Sequence, residues 1–333
     1  MINFGLLNPF MTLAGAFFKL VRWPNLVFIA LTQCMFYYLI AVPLFAKYNS
    51  SPILTPTLFW WMLIASVFIA AAGYIINDYF DLNIDQVNKP HKLVVDKIIK
   101  RRWAIALHLM LSSMGILIST WVCISIREVN GLLVAFINFI SVIALWLYST
   151  TYKRKLLVGN VLISLLTAWV ILILYMLNLK SPFFLRGIHY DDQQNYALAI
   201  KALFKLTILY AGFAFILSLI REVIKDMEDM EGDAKYGCKT MPIVWGIPAS
   251  KVFTGVWLIV LIASLSIVQY YALQRGWWGS VVYSVILIIL PLIWILQKLY
   301  QARVPSDYHR LSSVVKAVML TGILSMVFFR LYS

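Results

Sequence analysis

The sequence predicts an all-α, polytopic membrane protein, with nine transmembrane helices in one bundle over residues 1–333. Composition is the first observation: 62% of the residues are hydrophobic and 13% charged, against roughly 25% charged in soluble domains. Mean hydropathy is +0.85. The second is pattern: nine apolar runs each approach the ~20 residues that a bilayer crossing requires. The third is charge placement, since Lys and Arg gather in short segments between alternate runs.

Taken in order, the runs are 23–45, 56–77, 103–126, 131–149, 157–178, 203–222, 250–272, 278–298 and 312–331. Residues 1–22 lack the basic start and small-residue cleavage site of a signal peptide, so insertion falls to the first run. The second run is almost uncharged and ends abruptly in acids. The basic segment Lys89, Lys92, Lys97, Lys100, Arg101 and Arg102 follows. Arg127-Glu128-Val129-Asn130 reads as a tight hairpin between the third and fourth runs, and Lys153-Arg154-Lys155 precedes the fifth. The connection 179–202, with Pro182, Arg186, His189, Asp191 and Asp192, reads as a solvated loop rather than a metal site. The sixth run leads into further acids, then Lys225, Lys235, Lys239 and Lys251. Trp60-Trp61 and Trp277-Trp278, near run ends, read as an interfacial belt. Arg303 and Arg310, flanked by Lys298 and Lys316, lie ahead of the ninth run.

These basic segments follow the even-numbered runs. The opposite side holds Lys47, Arg127, Lys180, Arg186 and Arg275, with Lys201 and Lys205 near the sixth run. The bias puts the N-terminus in the cytoplasm and, after nine crossings, the C-terminus outside. It also accounts for a net charge of +14 as topology and attraction to lipid headgroups rather than nucleic-acid binding. Cys34, Cys123 and Cys238 are too far apart to read as a disulfide or metal motif.

Two acidic clusters require an explanation. Asn77-Asp78-Tyr79-Phe80-Asp81-Leu82-Asn83-Ile84-Asp85 closes the second run, and Glu222, Asp226, Asp229 and Asp233 close the sixth. Four crossings separate them, so both fall on the cytoplasmic face and can meet. Asn77, Asp81 and Asp85 are spaced i, i+4, i+8, one column if the helix continues, and Asp78 points off that column. Asp226, Asp229 and Asp233 at i, i+3, i+7 share a face that Glu222 extends. Acids beside hydrocarbon need water, a partner or a cation. The carboxylates and amide are hard oxygen donors, suited to Mg²⁺ or Ca²⁺ rather than zinc, copper or iron. Two carboxylate columns flanked by Lys and Arg make a cradle for a metal-bound diphosphate. No P-loop or Gly-rich nucleotide fingerprint is present.

With Asn88-Lys89-Pro90 after it, the first cluster resembles the first aspartate-rich motif of the UbiA superfamily of intramembrane prenyltransferases (motif one, 77–92). Lys225-Asp226-Met227-Glu228-Asp229-Met230-Glu231-Gly232-Asp233, with Gly237-Cys238-Lys239-Thr240-Met241-Pro242, resembles the second (motif two, 222–242). Arg22-Trp23-Pro24-Asn25 is similar to the family's Arg-Pro-x-Asn segment. The resemblance implies that Mg²⁺ holds an isoprenoid diphosphate between the motifs, that the allylic C–O bond ionises, and that an acceptor attacks the cation. By position, Asn77, Asp81 and Asp85 hold one metal, Asp229 and Asp233 the other, and Asp226 assists. Asp81, Asp85, Asp229 and Asp233 are thus the catalytic candidates. Lys92 and Lys153 are the implied diphosphate ligands. Arg22 and Asn25 line the same mouth, and Asn160 is a polar candidate reaching in from the fifth run. Tyr148 and Tyr152 are the aromatic candidates for stabilising the cation.

His91-Lys92-Leu93-Val94-Val95-Asp96 departs from the family's Asn-Arg-Pro turn, which weakens the match to branches with aromatic acceptors. The form of motif two is similar to the branch that transfers geranylgeranyl to the hydroxyl of a prenylglycerol phosphate in ether-lipid synthesis. The implied location is the plasma membrane of a prokaryote. Two alternatives remain at this point: prenylation of an aromatic or haem acceptor, and a cation-coupled secondary transporter with acids on broken helices at mid-membrane.

Overall fold

The computed structural model describes residues 9–88, 94–126, 129–180 and 190–332. Among them, nine helices are long and apolar enough to cross a bilayer. They are referred to below as span 1 (Trp23–Lys47), span 2 (Pro56–Asn88), span 3 (Arg101–Ile126), span 4 (Val129–Thr150), span 5 (Val158–Met176), span 6 (Tyr190–Glu228), span 7 (Gly246–Gln274), span 8 (Trp278–Gln301) and span 9 (Pro305–Tyr332). A lead helix, Pro9–Leu20, precedes them. The described chain contains no strand beyond an isolated bridge between Val95 and Ile99. It is an all-helical membrane protein.

Several boundaries move relative to the sequence reading. Span 2 does not end at 77 but runs unbroken to Asn88, so motif one is helical throughout its acidic part. Span 6 begins at Tyr190, and residues 190–202, expected to be loop, form its first turns. The reason is amphipathicity. Tyr196, Ala199 and Leu203 are buried at i, i+3, i+7, while Asp192 is exposed; the polar face disguised the periodicity. Tyr196 packs on Phe45, its hydroxyl donating to the Asn178 carbonyl. The part of that connection holding Pro182, Arg186 and His189 lies outside the described residues, as do Arg127 and Glu128 of the expected hairpin.

Spans 1 and 8 each contain a π-helical segment, Tyr37–Ala41 and Val285–Ile289. Each lies just ahead of a proline, Pro43 or Pro291. Proline lacks an N–H and its ring clashes with the carbonyl four residues back, and a wider turn relieves both within a continuing helix. Neither segment carries a charged residue.

Spans 2 and 3, 5 and 6, and 6 and 9 form extensive helix pairs, with span 1 against spans 2, 5 and 9. Close approach is bought by small residues. A Cβ on Gly115 would come within 2.7 Å of Ile69 Cγ1 and one on Gly73 within 2.9 Å of Leu145 Cδ1. One apolar cluster joins Phe36, Phe45, Phe59 and Leu174. Another joins Ile220, Leu258, Leu292 and Val315.

Candidate active site

Six spans (1, 2, 4, 5, 6 and 9) wall a cavity of about 990 Å³. Both acidic motifs line it. From span 2 come Asn77, Asp81 and Asp85, and from the end of span 6 and the segment after it Asp226, Asp229 and Asp233. Arg22, Asn25, Lys153 and Asn160 line the same space. Ten of the eleven metal, catalytic and substrate-binding candidates named from the sequence are thus brought together. The eleventh, Lys92, lies outside the described residues.

Motif one forms an i, i+4 column on a continuous helix. The Asn77 side-chain nitrogen donates to Asp81 Oδ2 at 2.7 Å. Asp81 Oδ1 meets Lys153 in an ion pair across the cavity. Asp78, read as pointing away, also lines the cavity and accepts a hydrogen bond from Arg22 Nη2 at 2.5 Å. Asp78, Asp81 and Asp85 are spaced i, i+3, i+7, itself a single helical face; the wall is wide enough to include both columns.

Arg22 sits between the lead helix and span 1 with φ 51° and ψ 53°. A non-glycine residue in this left-handed region costs about 1–2 kcal/mol. The Asp78 ion pair and the Tyr74 ring, 5.4 Å from the guanidinium, hold it there.

Motif two is not one straight helix. Span 6 ends at Glu228, Asp229 leaves helical geometry, and a short helix, Met230–Lys235, follows. The Asp229 N–H still donates to Lys225 and the Asp233 N–H to Asp229, so the three aspartates keep to the cavity wall through the bend. Asn160 Nδ2 donates to Asp226 Oδ2 at 2.8 Å, tying span 5 to the motif. Arg221 Nη1 donates to Glu222 Oε1 at 2.8 Å, and Lys225 lies 3.7 Å from the same oxygen.

Lys153 is carried by a 3₁₀ turn, Tyr152–Arg154. Gly159 makes that position possible: a Cβ there would come within 2.8 Å of Lys153 Cα and 2.9 Å of the Tyr152 carbonyl. Burial, with Arg154 alongside, pushes the Lys153 ammonium down to about 7. Tyr148 lines the cavity, whereas Tyr152 instead faces Lys155, 5.4 Å from its ring.

The donor set fits a hard cation. Asn77 Oδ1 is buried without a hydrogen-bond partner, an oxygen that a cation would satisfy. Cys238 lines the cavity as well, but burial and then Asp233 push its thiol up, and a thiol is no metal ligand until it ionises. Among the described residues no group of three or more His, Cys, Asp or Glu stands ready to grip one ion. Mg²⁺ needs no such cage, since it takes one or two carboxylates and shares its other positions with water and phosphate.

Sequence reasoning missed Lys316, Arg221 and Tyr74 as cavity residues. Lys316 and Arg221 were legible in principle, because an ionisable side chain inside or at the edge of an apolar run marks function by default.

The sequence model of the UbiA prenyltransferase family matches residues 34–319. The digeranylgeranylglyceryl phosphate synthase of Haloquadratum walsbyi is 32% identical over 236 residues, 69% of this chain and 70% of the relative. That of Sulfurisphaera tokodaii is 28% identical over 281 residues, 84% of this chain and 86% of the relative. A solved structure described as giving insights into digeranylgeranylglyceryl phosphate synthase in membranes has a TM-score of 0.59 at 21% identity, covering 95% of this chain and 99% of that one. A UbiA homolog from Archaeoglobus fulgidus bound to GPP and Mg²⁺ has a TM-score of 0.54 at 13% identity, covering 93% and 99%. At these identities the structural likeness concerns the fold.

Proposed function

We propose, for a chain that belongs to the UbiA prenyltransferase family and is a prenyltransferase, that it moves geranylgeranyl from its diphosphate to the hydroxyl of a prenylglycerol phosphate. The product is an ether lipid. The observation that carries the reading is that both acid motifs, from distant parts of the chain, line one cavity. Relatives at 32% and 28% identity are digeranylgeranylglyceryl phosphate synthases, which favours this acceptor over an aromatic or haem one. A transporter of the broken-helix type would carry its acids on interrupted segments. Here motif one lies on an unbroken helix and motif two at the end of span 6 beside basic residues, rather than on a helix broken at mid-membrane.

In this reading Asn77, Asp81 and Asp85 hold one Mg²⁺ and Asp229 and Asp233 the other, with Asp226 oriented by Asn160. Bound Mg²⁺ neutralises the diphosphate as it leaves. Lys153 and Lys92 take up further charge on the diphosphate oxygens, and Arg22, fixed by Asp78, closes the mouth beside Asn25. The allylic C–O bond breaks with its electron pair going to the diphosphate. The acceptor oxygen forms the new C–O bond, and its proton leaves to solvent or to the released diphosphate. Tyr148 offers a ring to the developing cation. The apolar wall excludes the water that would otherwise capture it.

The site belongs to the cytoplasmic face, because the basic segments gather at the same end of the bundle as the motifs. The N-terminus is then cytoplasmic, the C-terminus outside, and the membrane a prokaryotic plasma membrane, with residues 1–333 acting as one catalytic domain. Purified protein, Mg²⁺, geranylgeranyl diphosphate and prenylglycerol phosphate should give the digeranylgeranyl ether by mass spectrometry. Product formed only with an aromatic acid overturns the reading.

A further inference from the structure

Lys316 is a cavity-lining cation with no part in the scheme above. It lies within span 9, and its Nζ donates to Asn25 Oδ1 at 2.8 Å. The Phe28 ring centre is 5.1 Å from the same ammonium. Both partners are neutral. By contrast Arg22, Lys153, Arg221 and Lys225 each meet a carboxylate. Arg221 approaches from span 6. One of its nitrogens is engaged by Glu222, but its Nε is buried and has no hydrogen-bond partner. Lys316 and Arg221 line the same cavity, from spans 9 and 6. Two cations on the wall of one cavity, one with a buried donor left over, form a place for an anion rather than a self-sufficient structural pair.

A second observation gives that anion a tail. An apolar chamber of about 310 Å³ lies among spans 1, 5, 6, 7, 8 and 9, and Phe28, Ile29, Thr167, Val170 and Met319 line both it and the main cavity. Phe28 is the ring against Lys316, and Met319 is one turn further along the same helix. The apolar chamber therefore adjoins the main cavity beside Lys316.

We propose that Lys316 and Arg221 bind the phosphate of the acceptor lipid, whose isoprenoid chain occupies the apolar chamber, while the acid motifs hold the donor. The inference rests on the prenylglycerol phosphate reading and names the side chains that recognise that acceptor.

The test uses the full-length chain in lipid nanodiscs with three variants of one position. Lys316→Met should raise KM for prenylglycerol phosphate by about tenfold to a hundredfold, the worth of a hydrogen bond to a charged group. KM for geranylgeranyl diphosphate should stay within about twofold. The preference for the phosphorylated acceptor over its dephosphorylated alcohol should shrink by the same factor. Lys316→Arg should restore most of the lost affinity, and Lys316→Glu should be worse than methionine. An unchanged acceptor KM in Lys316→Met, or an equal rise in donor KM, overturns the assignment while leaving the acceptor reading intact. A wild-type chain that turns over a different acceptor and ignores prenylglycerol phosphate overturns both. Direct titration of donor binding to each variant separates misfolding from loss of the acceptor site.

Discussion

Asp78 carries more than its spacing from Asn77 indicates. Successive helical residues are about 100° apart, so the i, i+4 column of Asn77 and Asp81 does not exclude a neighbouring i, i+3, i+7 column from the same broad wall. Its partner Arg22 is held in left-handed geometry. Asp78→Asn should release that arginine and raise donor KM by about tenfold, read in steady-state kinetics, with a smaller effect on kcat; equal losses in both would place Asp78 in the chemical step instead. Lys153 gives a pH signature. Its ammonium is pushed down to about 7 by burial, with Arg154 adding to the effect. It is therefore charged below that pH and increasingly neutral above it. As a diphosphate ligand it should make kcat/KM for the donor fall as pH rises through about 7. Lys153→Arg, permanently charged, should flatten that limb; a limb that persists in the arginine variant would belong to another group. The acids were legible in the sequence because they interrupt apolar runs as a cluster. Lys316 and Arg221 were harder to assign because each stands near a run boundary, where a basic residue also has a bland role in topology.

The helices themselves were legible, their ends less so. Apolar length located all nine spans, but a hydropathy boundary marks where the membrane-facing character stops rather than where hydrogen bonding stops. Span 2 accordingly continues to Asn88, and span 6 starts at Tyr190 on a polar-faced turn. The bend at Asp229 left no equivalent mark. Gly159 is the element-level contact most open to a direct test. Gly159→Ala would force its Cβ against backbone atoms of Tyr152 and Lys153 at 2.9 and 2.8 Å, moving the turn that delivers Lys153. Overpacking of this kind costs typically 1–3 kcal/mol. The unfolding midpoint should fall and donor KM should rise together; a lowered midpoint with unchanged donor KM would detach the turn from the site.

At the scale of the molecule, the meeting of the two motifs could be anticipated from parity alone, since four crossings return the chain to the same face. Which spans wall the cavity could not. Transmembrane helices are apolar on most of their circumference, so periodicity gives little sign of which face looks inward. The structure answers with spans 1, 2, 4, 5, 6 and 9 around one space of about 990 Å³. The proposed mechanism requires the acids at its two sides to act on a single donor. Calorimetric titration of geranylgeranyl diphosphate into wild type, Asp81→Asn, Asp233→Asn and the double variant, with and without Mg²⁺, tests this most directly. Each single substitution should remove most of the Mg²⁺-dependent affinity, roughly a hundredfold, and the double variant should be scarcely worse than either, the non-additivity of groups working as a unit. Independent, additive losses, or Mg²⁺-dependent binding that survives Asp233→Asn, would contradict a shared site.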